Sequence, residues 1–323
     1  MRKRAVIGID IGGTKTLCAL VTQQFKIIKE VKFKTAPQDG RATFSKRLAK
    51  TVKGLVAEAD KQHLHLVGIG IASAGRIDRA NCAITASPNI LCLEGFQVGA
   101  TLKKVIKLES VMGNDVELAL YGEQQLGAAK GCSQVLGVFF GTGVGGAAII
   151  NGRIYHGASG HGGHVGATLT HQIGGAEGLE SHGVLNGIAS KGAIAGAAIG
   201  MGVKQWAPNL YKEVGTDISK VTWGSLARAR KAGDKSVEEL IRSRVRVVGV
   251  ALSSIVNFLN PEMLVLGGGL TEEMPKLIVS EVENGLREYL SPEVSRKLKI
   301  KAAKFGNKAG VIGAAKLAFK KLK

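Results

Sequence analysis

The sequence predicts an α/β protein of two domains, and three observations carry this prediction. Short apolar runs of strand length alternate along the chain with longer amphipathic runs of helix length. At 323 residues the chain exceeds the size at which one core usually stops growing. A unit of strand, glycine turn and strand occurs once in each half. We therefore expect two related domains across a cleft: residues 1–115, joined by a C-terminal helix at 306–323, and residues 116–305.

Composition and charge limit the class of protein. Hydrophobic residues make up 45% of the chain and charged residues 21%, as in ordinary globular proteins. The basic residues at the N-terminus precede an apolar run that is soon broken, and no apolar run is long enough to span a membrane. Four cysteines without a CxxC pair indicate neither disulfides nor a thiolate zinc site. We therefore expect a cytoplasmic protein without a membrane partner.

The net charge of +19 raises the question of a nucleic-acid partner. The excess is spread along the chain and collects only mildly at residues 296–301 and 320–323. Neither a helix-turn-helix unit nor aromatic platforms accompany these clusters. We therefore do not expect nucleic acid as a partner.

The first glycine turn is a candidate phosphate site. Residues 4–11 and 15–21 are predicted strands, and Gly12-Gly13-Thr14 connects them. Consecutive glycines allow the backbone to approach an anion and to direct several N–H groups at it. Lys15 follows the turn, and Asp10 precedes it at a strand end, where its carboxylate could face a magnesium-bound water. A plain β-turn is the alternative interpretation.

The next segment, residues 25–106, alternates further strands and helices. A strand is predicted at 25–33, a helix at 41–62, a strand at 66–72 and a helix at 98–106. The loops between the last two elements contain Gly75-Arg76 and Asn89. Small polar loops of this kind either line a hydroxyl-binding wall or form ordinary exposed turns, and the sequence leaves both interpretations open.

The segment Gly113-Asn114-Asp115 is the centre of the predicted site. It follows a short strand at 108–112 and precedes a helix at 116–129. Asn114 and Asp115 therefore lie at the carboxyl end of a strand, the edge at which open α/β sheets bind ligands. A carboxylate between two phosphate-binding turns indicates phosphoryl transfer.

The second half repeats the strand and glycine-turn pattern. Gly141-Thr142-Gly143 separates two predicted strands, and Gly267-Gly268-Gly269 follows a third, at 263–266. Three glycines allow a base or ribose to lie against the backbone, or they form a tight turn. Thr271 is predicted to cap a helix from Glu272. The remaining predictions are helices at 193–201, 223–232, 237–259 and 309–319, and strands at 137–140, 144–150 and 298–303.

A long connection at 151–182 holds five of the seven histidines. The spacing His161-x-x-His164 raises the hypothesis of a metal site, but no acidic residue completes a recognisable ligand pattern. Hydrogen bonding to a polar ligand, or within the loop, is the favoured interpretation. One of the two carboxylates of this connection, Glu177 or Glu180, could meet the same ligand.

Taken together, these segments resemble the ROK family of sugar kinases, which includes glucokinases and N-acetylhexosamine kinases. The resemblance extends nearly from end to end. Seven motifs carry it in the family's order: Gly8-Ile9-Asp10-Ile11-Gly12-Gly13-Thr14-Lys15, Gly75-Arg76, Asn114-Asp115, Gly141-Thr142-Gly143-Val144-Gly145-Gly146, Asn151-Gly152, Gly163-His164, and Asn260-Pro261-Glu262 through Gly267-Gly268-Gly269. Together they are far more specific than any single motif.

The resemblance implies an actin-like, hexokinase-type ATPase fold that binds ATP and Mg²⁺. It implies that Asp115 is the catalytic base, which accepts the proton of a sugar's primary hydroxyl. Asn114, Gly75 and Arg76 would hold the sugar, and the glycine turns would hold the phosphates. A homodimer is also implied. These roles agree with the chemistry, because phosphoryl transfer needs mainly alignment and charge stabilisation.

The sequence departs from the family pattern in two places. His161 occupies the position of a glutamate that contacts sugar hydroxyls, so one imidazole donor and one acceptor replace a carboxylate. The cysteines of the family's zinc loop are absent from residues 171–178, where His171 begins the segment, and Glu180 matches a sugar-binding glutamate. We therefore expect no structural zinc and expect His164 to bind the sugar directly.

The leading hypothesis is an ATP-dependent kinase for the 6-hydroxyl of a hexose, with glucose as the first choice. The alternatives are a kinase for fructose or an N-acetylhexosamine, a non-catalytic sugar-binding regulator, and an actin-like ATPase that acts on a partner. Regulators of the family carry an N-terminal DNA-binding domain, whereas the first strand here is predicted to begin by Ala5. The sequence determines neither the sugar nor whether ATP or polyphosphate is the donor.

Overall fold

The computed structural model describes residues 2–170 and 183–322. The chain forms two compact units. The first consists of Met1–Lys130 and Lys308–Lys323, and the second of Gly131–Asn307. The first unit thus extends beyond the predicted boundary at residue 115, because the helix that starts there packs against the C-terminal helix of the same unit.

The described residues form the following strands and helices. The strands are β1 Arg4–Ile11, β2 Lys15–Thr22, β3 Ile27–Lys34, β4 His65–Ser73, β5 Arg76–Asp78, β6 Ala83–Ala86, β7 Phe96–Gln97, β8 Ser110–Asn114, β9 Val135–Phe140, β10 Val144–Ile150, β11 Arg153–Ile154, β12 Met263–Gly267 and β13 Lys299–Ala302. The α-helices are α1 Gly40–Lys61, α2 Val98–Ile106, α3 Asp115–Leu126, α4 Leu185–Ala189, α5 Lys191–Val203, α6 Pro208–Val214, α7 Trp223–Lys231, α8 Lys235–Leu259, α9 Gly269–Glu273, α10 Pro275–Arg287, α11 Pro292–Lys297 and α12 Ala309–Lys321.

The sheet of the first unit has the strand order β3-β2-β1-β4-β8. β1 pairs antiparallel with β2 and parallel with β4, and β4 pairs parallel with β8. Ile7 and Ile9 of β1 pack with Leu48 of α1 on one face, and Val6 packs with Val311 of α12 on the other. Because helices cover both faces, β1 and β4 are nearly continuous apolar runs.

The sheet of the second unit has the order β11-β10-β9-β12-β13. Its strand directions repeat those of the first sheet: β9 pairs antiparallel with β10 and parallel with β12, and β12 pairs parallel with β13. Val138, Leu264 and Leu266 pack in one core with Val248 and Leu252 of α8. The repeat of strand, glycine turn and strand predicted from the sequence is therefore confirmed.

The predicted strands and long helices are present, with ends that differ by a few residues. The strands and α-helices that were not predicted, α4, α6, α11, β5, β6, β7 and β11, have two to seven residues and hardly show a period. Among them are the strands of a small sheet, β5-β6-β7, in the loops after β4. No described helix is long and apolar enough to cross a lipid bilayer.

Candidate active site

The carboxyl ends of β1, β4 and β8 bring the predicted acidic residues of the first unit together. Asp10 of β1 pairs with Ala72 of β4, and Ser73 of β4 pairs with Asn114, the last residue of β8. Parallel strands end at the same edge of a sheet, so Asp10, Asn114 and Asp115 share that edge. The edge of the first sheet is therefore the candidate active site.

Asn114 joins the end of β8 to the start of α3. Its side-chain oxygen accepts hydrogen bonds from the backbone N–H groups of Val116 (2.9 Å) and Glu117 (3.2 Å), as an N-cap residue does. Its amide nitrogen donates to the carbonyl of Gly75 at 3.2 Å. Asn114 thus fixes the direction of α3 and, at the same time, the position of the Gly75 turn.

Asp115 is the first residue of α3 and is partly buried. Burial raises the pKa of its carboxyl, and the charge of Glu117 acts in the same direction. Hydrogen bonds from backbone N–H groups and from Asn114 oppose the shift; the Val116 N–H donates to Oδ1 at 3.0 Å. The N–H groups at the start of α3 thus fix the direction of this carboxylate, while burial raises its basicity, and a general base requires both.

Asp10 lies at the end of β1 and is also partly buried. Burial, followed by the charge of Asp115, raises the pKa of Asp10 to about 7, while Lys15 lowers it. The N-terminal turn of α12 comes close to this carboxyl: a Cβ added to Gly310 would lie 2.5 Å from Oδ2 of Asp10. The carboxyl of Asp10 is therefore confined between a second acid and a helix.

The predicted sugar-binding residues of the first unit lie in the loops beside this edge. Gly75, with φ of 97°, turns the chain from β4 into β5, and the exposed Arg76 follows it. Asn89 is exposed, and a Cβ on Gly13 would lie 3.3 Å from the Cβ of Asn89. Loops of the same unit therefore hold Gly75, Arg76 and Asn89, each available to a polar ligand.

Thr35 stabilises the first glycine turn. This turn was predicted from the sequence, whereas Thr35 was not identified as a residue that supports it. The turn closes through the N–H of Gly12, which donates to the carbonyl of Lys15 at 3.1 Å. The hydroxyl of Thr35 donates to the carbonyl of Gly12 at 2.7 Å and lies 3.0 Å from the hydroxyl of Thr16. Thr14 and Lys15 remain exposed at the tip of the turn.

Asn186 has the corresponding role at the second glycine turn. The N–H of Gly141 donates to the carbonyl of Gly143 at 2.8 Å, which closes the turn around Thr142. The side-chain oxygen of Asn186 in α4 accepts from the N–H of Val144 at 2.8 Å. No local sequence signal marked Asn186 or Thr35, because each acts on a turn more than 20 residues away.

The glycines after β12 lie beside the second glycine turn. Gly267 pairs with Phe139, near the end of β9, and Gly268 has φ of 83°. A Cβ on Gly268 would lie 2.3 Å from the carbonyl oxygen of Phe140, so only glycine fits there. The carboxyl ends of β9 and β12 thus hold both glycine segments, Gly141–Gly143 and Gly267–Gly269.

A cavity of about 240 Å³ opens next to these glycines. Its lining comes from the ends of β12 and β13 and the start of α9, and includes Gly267, Gly268, Thr271, Glu272, Lys304 and Phe305. The expectation that Thr271 caps a helix from Glu272 is wrong. α9 begins at Gly269 because Gly268 takes the N-cap position, and the buried Thr271 hydroxyl donates to the carbonyl of Gly267 at 3.0 Å.

The two predicted histidines lie in the loop after β11. Nδ1 of His161 lies 2.5 Å from the carbonyl oxygen of Ser159. Because a carbonyl only accepts, Nδ1 carries the hydrogen, and in the neutral ring Nε2 is an acceptor. His164 is exposed and precedes a short 3₁₀ turn at Val165–Ala167.

Glu180 and the segment that replaces the family's zinc loop, residues 171–178, lie outside the described residues. In the ranges 2–170 and 183–322, no three His, Cys, Asp or Glu side chains form a group that could hold a metal ion. The predictions about Glu180 and zinc remain predictions.

The sheets and the site define an α/β protein of the ATPase type, and comparison with known proteins identifies its family. Residues 6–321 match the model of the ROK family. A glucokinase of Halalkalibacterium halodurans is 30% identical over 97% of this chain and 94% of that protein. An N-acetylgalactosamine kinase of Shewanella sp. (strain ANA-3) is 29% identical over 96% of this chain and 95% of that protein.

The structure of a ROK family glucokinase from Streptomyces griseus, in complex with glucose and AMPPNP, is also similar. Its TM-score is 0.82 at 26% identity, over 98% of this chain and 99% of that one. The fold is thus the actin-like ATPase fold of the ROK glucokinases, and the fold prediction is confirmed. The chain belongs to the ROK family.

Proposed function

We propose that this chain transfers the terminal phosphoryl group of ATP to the 6-hydroxyl of a hexose, with glucose as the preferred sugar. The broader class, an ATP-dependent sugar kinase, follows from its family and its kinase relatives. The observation that carries the proposal is the placement of Asp115, a partly buried carboxylate at a strand end and helix start.

Asp115 acts as the general base in this proposal. Its raised pKa and fixed direction suit a group that accepts the proton of an alcohol as the phosphoryl group arrives. Gly75, Arg76, Asn89 and Asn114 lie at or beside the same strand ends and would hold the sugar. Removal of the base should cost about 10²–10⁴-fold in rate.

A magnesium ion fits the residues at the end of β1. The carboxyl of Asp10 is partly buried and its pKa is raised by burial and by Asp115, so a divalent cation would relieve unfavourable charge there. Mg²⁺ typically keeps several waters and takes one or two carboxylates together with substrate phosphates. Asp10 would hold the ion through a water, and the ion would neutralise charge on the phosphates.

The glycine segments of the second unit support nucleotide binding. Gly141–Gly143 and Gly267–Gly269 lie at neighbouring strand ends, and the cavity of about 240 Å³ adjoins the latter. The ends of these strands expose backbone groups to phosphates, and the cavity lining of glycine, Phe305 and Lys304 suits a flat base. Gly12, Gly13, Thr14 and Lys15 in the first unit would contact the terminal phosphates.

The identity of the sugar is the finer part of the proposal. Relatives with nearly the same identity are a glucokinase and an N-acetylgalactosamine kinase, so an N-acetylhexosamine is the second candidate. The Nε2 acceptor of His161 would accept one hydroxyl hydrogen, where a carboxylate would accept two. The resemblance implies that His164 and Glu180 are further sugar-binding residues.

An ADP-release assay tests the proposal. Glucose, fructose, mannose, N-acetylglucosamine, N-acetylgalactosamine and N-acetylmannosamine are compared at equal concentration with ATP and Mg²⁺, and polyphosphate replaces ATP in a parallel series. We expect the highest kcat/KM for glucose with ATP, and a rate about 10²–10⁴-fold lower with Asp115→Asn. Sugar binding without ADP release would instead support a non-catalytic regulator, and the highest kcat/KM for an N-acetylhexosamine would reassign the sugar.

We further propose that the protein is a cytoplasmic homodimer, as its resemblance to ROK kinases implies. Sedimentation equilibrium of the purified chain tests the oligomeric state. A single species with the mass of one chain at micromolar concentration would contradict the dimer.

A further inference from the structure

The hairpin formed by β5 and β6 is tied to the first turn of α3 by a partly buried ion pair. Nη2 of Arg79, in the turn of the hairpin, lies 2.8 Å from each carboxylate oxygen of Glu117. The side chain of Glu117 is 5% exposed and that of Arg79 is 28% exposed, so the carboxylate is shielded from water while the guanidinium is partly open to it. Charge-assisted hydrogen bonds in such a setting are among the stronger polar contacts in proteins.

The turn that carries Arg79 is itself well ordered. The carboxylate of Asp78 accepts hydrogen bonds from the backbone of Ala80 (3.0 Å) and from the backbone and side chain of Asn81 (3.1 and 2.7 Å). The thiol of Cys82 donates to the carbonyl of Ser110 at 3.3 Å, which ties the hairpin to β8. Arg79 therefore projects from a well-ordered turn, so its contact with Glu117 fixes the position of the hairpin relative to α3.

The hairpin meets α3 at two points on either side of Asp115. At the hairpin's start, the carbonyl of Gly75 accepts from the side chain of Asn114, one residue before Asp115. At its turn, Arg79 binds Glu117, two residues after Asp115. Two contacts, one made by the residue before Asp115 and one by the second residue after it, fix the hairpin relative to the start of the helix that carries the carboxylate.

From this geometry we propose that Arg79 and Glu117 are positioning residues for the sugar. They hold the wall formed by Gly75 and Arg76 at the correct place relative to Asp115, without touching the sugar. The inference rests on the proposed sugar kinase function and names a determinant of sugar affinity within it. Loss of the pair would let the hairpin shift, so that the sugar binds more weakly while ATP binds as before.

Three variants of the full chain test the proposal. Arg79→Met removes the cation, Arg79→Met/Glu117→Leu removes both charges, and Arg242→Met is the matched control. Arg242 lies in the second unit and pairs with Glu238 and with the buried Glu281. The double variant is expected to fold at least as well as Arg79→Met, because a buried ion pair can often be replaced by apolar side chains without loss of stability.

We expect Arg79→Met and the double variant to raise the KM for sugar about 10-fold, as if the displaced wall lost one hydrogen bond to the sugar, with an unchanged KM for ATP. Arg242→Met should lower the thermal midpoint and leave the sugar KM unchanged. A double variant with a wild-type sugar KM would show that the pair serves stability alone. An equal rise in the sugar KM of Arg242→Met would show that the effect is not specific to the Arg79–Glu117 pair. Either result overturns the proposal.

Amide hydrogen exchange separates this inference from the proposed function. In both Arg79 variants the amides of residues 76–86 should exchange faster than in the wild type, and in Arg242→Met they should not. If the wild type phosphorylates no hexose, the proposed function fails and the positioning role fails with it. Unchanged exchange at residues 76–86 in an active Arg79→Met enzyme would instead overturn the positioning role alone.

Discussion

The two sheets of this protein have the same strand order and the same strand directions, but their ends carry different chemistry. In the first sheet, β1 ends near Asp10 and β8 is followed by Asp115. In the second, Phe139 occupies the position in the repeat that Asp10 has in the first, and Gly267 pairs with it. Acids collect at one edge, and glycines with an adjoining cavity of mixed polar and apolar lining lie at the other.

The difference shows that the shared strand topology places a group of strand ends at one edge of each sheet. The side chains at that edge determine what chemistry it can perform. Parallel strands place their carboxyl ends together in both units, so each unit gathers residues far apart in sequence. In the first unit, burial and the neighbouring carboxyl of Asp115 raise the pKa of Asp10 to about 7. In the second unit, the strand ends bring together backbone groups and the ring of Phe139, which stands where the first unit has the carboxyl of Asp10. We therefore expect substitutions at the two edges to have different kinetic effects.

The largest effect is expected for Asp115→Asn. The amide keeps the size of the side chain but cannot accept the hydroxyl proton, so kcat should fall about 10²–10⁴-fold. Titration calorimetry should give an unchanged Kd for ATP, since the change is confined to the acidic edge. A turnover near the wild-type rate would remove Asp115 from the mechanism.

Asp10→Asn should make the protein more stable and less active. Since the pKa of Asp10 is about 7 when folded and near 4 when unfolded, the folded chain binds the proton more tightly between these values. The contribution of Asp10 to the free energy of unfolding therefore falls as pH rises from about 4 to about 7. It stays low above about pH 7. The variant should be more stable than the wild type by roughly 1–3 kcal/mol at about pH 8, and by little near pH 4.

The same variant should lose about 10–100-fold in activity, as expected for a residue that reaches a metal ion through a water. Urea unfolding at the two pH values and steady-state kinetics measure both effects. Equal free energies of unfolding for the variant and the wild type at about pH 8 would show that the ionised carboxyl of Asp10 does not destabilise the fold.

Gly310→Ala should act on Asp10 through space. The new Cβ would lie 2.5 Å from Oδ2, so the carboxylate has to move. Small displacements of a functional group can be costly, and we expect kcat to fall about 10-fold. Gly54→Ala in α1 is the control, because no atom lies within 4 Å of its new Cβ.

The control should keep full activity and gain about 0.5–1 kcal/mol of stability, as alanine does in a helix interior. Circular dichroism melts and the ADP-release assay distinguish the two variants. A fully active Gly310→Ala enzyme would mean that the carboxyl of Asp10 need not stay where the structure places it.

Gly267→Ala tests the opposite edge and should have the smallest kinetic effect. The new Cβ would lie 2.4 Å from the ring of Phe139, so the ring must shift beside the proposed nucleotide cavity. We expect the KM for ATP to rise several-fold, up to about 10-fold, with the sugar KM unchanged. A selective rise in the sugar KM would reverse the proposed division of roles.

The sequence was most informative where the signal is local. The apolar periods of α1 and α8, the glycine turns and the placement of Asn114 and Asp115 at a strand end could all be read from neighbouring residues. The small sheet of β5, β6 and β7 could not, because its strands have two to four residues. The start of α9 was misread because a glycine with positive φ, Gly268, replaced the expected threonine cap.

The sequence by itself determined the longer strands and helices, and which carboxylate ends a strand, since these depend on residues within one turn or one strand. The tertiary structure alone decided that Asp115 raises the pKa of Asp10, that Arg79 reaches Glu117, and that Thr35 and Asn186 hold the glycine turns. The physical reason is that these contacts depend on strand register and packing between residues distant in sequence, which no local pattern encodes.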